Sequence, residues 1–139
     1  MSDIQSPDKS FNWAKFQAHL GYTDEEMAEF RADDRRRKAA EAIPAANRRT
    51  IVATVMSSHG CAAGFKVGDT IEVSGAGVVK SCNVCIYAVA PMTIHAAMAH
   101  DRIAEGLDPN GMWFNTFSCQ DGGFCNGSWG QVCFKVCVE

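Results

Sequence analysis

Hydrophobic positions change their spacing near Pro44, and the change divides the chain into a helical stretch and a mixed one. Trp13, Phe16 and Leu20 fall at helical intervals and stop at Gly21, which predicts a short helix. Thr23-Asp24-Glu25-Glu26 has the form of a capping box, and Met27 and Phe30 continue an apolar face, so a second helix is expected from about Thr23. Asp33 and Asp34 precede Arg35, Arg36, Arg37 and Lys38, the order that complements a helix dipole, and Ala39, Ala40 and Ala42 favour helix up to Pro44. Residues 1–10 are polar and read as a loose arm.

Beyond Pro44 the pattern turns β-rich. Strands are expected from Thr50 to Met56 and from Thr70 to Val73, the second after a Val67-Gly68-Asp69 turn, with brief pairing at Val78 and Val79. Ser81-Cys82-Asn83-Val84-Cys85 leads into a helix. Pro91 is expected to begin a new segment of it, because proline suits a first helical position and breaks an interior. That helix should reach about Glu105, with Gly106 as its cap. Asp108-Pro109-Asn110-Gly111 signals a turn, Met112 to Phe117 a strand, and Gln131 to Val138 a last, alternating strand. Helices and strands thus come in blocks. The expected fold is α+β: an N-terminal helical region over 1–44, then a cysteine-rich body over 45–139 in which a small, mostly antiparallel sheet packs against one long helix interrupted at Pro91.

The 139 residues suffice for a real core without covalent staples. A net charge of −3 gives no field pointing to nucleic acid or an anionic membrane, and the basic run at 35–38 reads as a solvated helix face. The longest apolar stretch, Val84 to Ala99, contains Thr93 and His95 and falls short of the roughly 20 residues of a membrane span. The polar, acidic start lacks the features of an export signal, so the expected location is cytoplasmic, where thiols stay reduced. Trp13 and Phe16 need cover, which the body, a second copy or a larger enzyme would supply.

Seven cysteines then become the main chemical signal. Cys82 and Cys85, three positions apart before a helix, can direct both sulfurs at one centre. Cys119 and Cys125 lie in a glycine-rich loop, and Cys61 in the turn His59-Gly60-Cys61-Ala62-Ala63-Gly64. These five are the candidate metal ligands. Cys133 and Cys137 alternate with apolar residues on the last strand and are expected in the core. Only one Cys-x-x-Cys knuckle is present and the other thiols are scattered singly, which favours an iron–sulfur cluster, 4Fe–4S in type, over zinc. Five candidates leave either a spare thiol or three ligands and an iron open to substrate. His59 and Asp121 are candidate acid–base groups, each with a plainer role in shaping its turn. His95 is expected to be a satisfied core histidine.

Gly60-Cys61, Lys66-Val67-Gly68-Asp69, Cys82 with Pro91 nine positions later, and Cys119-Gln120-Asp121 together resemble a family of small, largely uncharacterised bacterial and archaeal proteins. Their pattern is Gly-x-Cys, Lys-Val-Gly-Asp, Cys-Pro and Cys-Pro-Asp. The resemblance spans about residues 50 to 138 and implies Cys61, Cys82 and Cys119 as shared thiols, with Asp69 and Asp121. Asn83 and Gln120 stand where that pattern has prolines, and Cys85 and Cys125 are additions. It implies no settled activity.

Three functions remain open at this level. The first is an iron–sulfur protein, a small enzyme or accessory subunit in redox or small-molecule metabolism, with Phe114, Phe117, Phe124 and Trp129 shielding the cluster. The second is a zinc-stabilised interaction module. The third is a metal-free enzyme with Cys61 or Cys82 as nucleophile.

Overall fold

The computed structural model describes residues 11–139, so the arm expected at residues 1–10 lies outside the described residues. The chain divides into two compact units, Met1–Glu41 and Ala42–Glu139, three residues before the expected boundary.

The first unit is helical. In α1 (Trp13–Leu20) the Asn12 side chain accepts the Lys15 N–H, and Gly21 ends the helix in the left-handed conformation at φ 71°. α2 (Asp24–Ala32) begins with the expected capping box: Thr23 Oγ1 accepts the Glu26 N–H at 3.1 Å and the Glu26 carboxylate accepts the Thr23 N–H at 2.8 Å. Asp33 caps α3 (Asp34–Glu41) by accepting the backbone N–H groups of Arg36 and Arg35, donors that hold its carboxyl below the usual range. Phe11, Trp13, Phe16, Tyr22 and Phe30 form one ring cluster with neighbouring centroids 4.8–6.4 Å apart. Trp13 and Phe16 therefore find cover within their own unit. The basic run is drawn to its own acids, with Arg35 and Arg36 on Asp33 and Arg37 on Asp34.

The second unit holds α4 (Ile43–Ala46), the long α5 (Ile86–Ala104), and β1 (Thr50–His59), β2 (Thr70–Ser74), β3 (Thr116–Ser118) and β4 (Gln131–Val138). The strands form one antiparallel sheet in the order β2-β1-β4-β3, which with the helices makes the fold α+β as expected. Alternation sends Ile51, Ala53, Val55, Ile71, Val73, Val132, Phe134, Val136 and Val138 to one face, where they form a buried core with Ala88, Met92 and Ala99 of α5. Phe117 stacks on Phe134 at 4.9 Å. Among the described residues no helix is long and apolar enough to cross a membrane.

Five expectations change, the last of them at His95. β1 runs on to His59, because Ser57, Ser58 and His59 still pair with Cys133, Val132 and Gln131 beyond a bulge. The strand expected at Met112–Phe117 shrinks to β3: the Asn110 side chain takes the place of a strand beside Val138, accepting its N–H at 2.7 Å and donating to its C=O at 2.8 Å, while Trp113 and Phe114 lie exposed. Cys133 and Cys137 do share a face, but it is the one opposite the core; Cys133 is half-buried beside Ser118, and Cys137 is exposed. Pro91 lies inside a continuous α5 and starts no new segment. Proline has no N–H for the carbonyl four residues earlier, which here belongs to Tyr87, and that carbonyl accepts the Gln120 N–H at 2.9 Å instead.

His95 is buried, 6% exposed, against Phe117. Among the described residues neither ring nitrogen has a partner, so the histidine is in the core but not satisfied.

A candidate thiol-lined cavity

Three loops meet at the end of the sheet where β1 finishes, β4 begins and α5 starts. The first carries Cys61. Gly60 turns it at φ 66°, and a Cβ there would come 2.7 Å from Trp129 O, while one on Gly130 would collide with Gly60 O. Two glycines thus allow the Cys61 turn to lie backbone against backbone on the start of β4. Ser58 Oγ donates to Phe65 O at 2.7 Å and closes the loop behind Cys61. The Lys66-Val67-Gly68-Asp69 motif shapes the next turn, with Asp69 Oδ2 accepting the Lys66 N–H at 2.9 Å and Gly68 at φ 94°.

The second loop leads into α5 and places Cys85 at its N-cap, where the side chain makes no capping bond. The third follows β3. Cys119 extends the pairing with β4 by one residue: its N–H donates to Val132 O at 2.9 Å, and the Val132 N–H donates to Cys119 Sγ at 3.3 Å. Gln120 then ties this loop to the first turn of α5 through Tyr87 O.

Asp121 organises the rest of that loop. Oδ1 accepts the N–H groups of Gly123 at 3.0 Å and Trp129 at 3.2 Å, and Oδ2 accepts that of Gly130 at 3.2 Å. With the Ser128 side chain first among these donors, its carboxyl is lowered to about 2. The observed contacts are those of a turn-shaping carboxylate.

Together the three loops border an open cavity of about 460 Å³. Cys61, Cys85 and Cys119 all line it, each partly buried and packed on the edge of the core. Phe65, Tyr87, Val132 and Phe134 supply apolar wall, with Trp129 and Asp121 on the loop side. Cys82 and Cys125, by contrast, are exposed and outside the lining, as is His59 at the end of β1. Of the shielding aromatics expected, Trp129 borders the cavity, Phe117 is in the core stack, and Phe114 and Phe124 point to solvent. Among the described residues no three His, Cys, Asp or Glu side chains are grouped to hold a metal ion. The thiols surround a space rather than converge on a point.

The walls Phe65, Tyr87 and Phe134 were not foreseen as site residues. One signal was available for Phe65, which stands four residues after Cys61 behind the small-residue run Ala62-Ala63-Gly64. Compared with known proteins the chain finds no match, whether among family models, curated proteins or solved structures.

Proposed function

We propose that the second unit carries an iron–sulfur cluster of the 4Fe–4S type on Cys61, Cys85 and Cys119, with the remaining iron facing the cavity for a small substrate. The observation that supports this reading most is that three thiols from three separate loops border one largely apolar cavity. A single ion asks its ligands to meet at a point, and no such group occurs among the described residues. A cluster is broader and asks for thiols around a space. An all-sulfur donor set suits iron–sulfur chemistry, and the Val132 N–H aimed at Cys119 Sγ is the kind of bond that tunes a cluster's potential. Apolar walls from Phe65 and Phe134 would limit solvent access.

Anaerobic purification of iron-supplemented protein tests the reading. Brown protein with about four irons and four sulfides per chain, lost in the Cys61→Ser, Cys85→Ser and Cys119→Ser variants, supports it. Colourless protein carrying stoichiometric zinc overturns it.

One observation favours a second reading. Cys85 sits uncapped at a helix N-terminus beside the cavity, an arrangement used by nucleophilic thiols. Metal-free protein in which Cys85 alone reacts rapidly with iodoacetamide is what a nucleophile requires, and uniform slow modification of every thiol would exclude it.

A further inference from the structure

We infer that the cavity binds an uncharged aromatic ring compound and discriminates against its anionic counterparts. The inference rests on the cavity being the working site, as proposed above. None of the described residues that line it is Lys, Arg or His. The charged side chain that does line it is a carboxylate, Asp121, and its oxygens already accept the Gly123, Trp129, Gly130 and Ser128 donors of its own loop. A carboxylate or phosphate entering this space would lose hydration, find no cationic side chain among the described lining residues and lie beside a negative group.

An uncharged ring meets none of these costs. About 460 Å³ falls within the range of small-molecule sites, and Ala62, Ala63 and Ala88 are small enough to leave that room among the aromatics. Tyr87 and Trp129 line the cavity and yet are 63% and 73% exposed, so the cavity's border offers aromatic surface to an incoming ring. Polar side chains are few in the lining: the thiols, Tyr87 and the already engaged Asp121. Shape, stacking and the exclusion of charge therefore do the selecting.

Calorimetric titration of the full chain, as purified anaerobically, with 1-naphthalenemethanol and with 1-naphthoate tests this. The neutral alcohol should bind with one-to-one stoichiometry and the anion at least about ten-fold more weakly. Ala63→Trp and Ala62→Phe, both at exposed loop positions, should fill the space and abolish alcohol binding without changing the circular dichroism. Equal or tighter binding of the naphthoate overturns the inference, and so does alcohol binding that survives both filled variants. The two proposals fail separately: colourless protein that still prefers the neutral ring removes only the cluster, and brown protein indifferent to it removes only the ligand class.

Discussion

One layer of side chains runs under α5 from end to end, and its two halves differ. In the middle, Ile51, Ile71 and Met92 are covered on every side. At the end reached by Val132 and Phe134, the layer borders the cavity, where alanines, a glycine and thiols stand among Phe65, Tyr87 and Trp129. The same strands build both. What differs is the presence of small residues: Ile51, Ile71 and Met92 fill the middle, while Ala62, Ala63 and Ala88 with the Gly60–Gly130 contact leave room among the aromatics at the end. Stability should therefore reside in the middle and chemistry at the end, and substitutions should separate the two.

The largest effect should come from the closed half. Ile51→Ala or Met92→Ala should cost about 2–5 kcal/mol in denaturant unfolding, while iron per folded chain is unchanged. A parallel loss of iron would show that the halves are not separable. Cys119→Ser should do the reverse: iron falls to background, and metal-free stability changes by about 1 kcal/mol or less. Asp121→Asn should act within one loop, speeding proteolytic cleavage between residues 122 and 130 ahead of global unfolding. Since the Asp121 carboxyl lies at about 2 in the folded chain and near the ordinary value of about 3.9 when unfolded, its stabilising contribution is full above that ordinary range. It is lost as pH falls toward about 2, so wild type should converge on the variant's cleavage rate in acid. Smallest of all, Cys82→Ser and Cys125→Ser should leave iron content untouched, because neither thiol reaches the cavity.

Patterns carried by consecutive residues were readable in advance. The capping box at Thr23, the glycine stop at Gly21 and the alternation of β4 are each complete within a few positions, and each occurs where expected. What was not readable depends on partners distant in the chain. Asn110 substitutes for strand beside Val138, 28 residues away, so no local pattern could reveal why β3 is short. The choice of Cys85 over Cys82 follows from where α5 begins: Cys85 is its N-cap, whereas Cys82 lies in the preceding exposed stretch. Two positions in these loops could not be proline. Asn83 has φ 55°, which a proline ring forbids, and Gln120 uses the N–H that a proline lacks. Cys133 and Cys137 were expected inside because alternation gives the period and leaves open which of the two faces is covered.

The bond from Gln120 to the carbonyl beneath Pro91 makes helix and loop members of one ladder. A helical rung has been transferred across to a neighbouring segment, so the spacing between the chain at Cys85 and the chain at Cys119 is gauged by peptide groups and does not rely on side-chain packing. Any tilt of the helix entry must carry the opposite wall with it, and the hollow between them would widen or narrow as a unit.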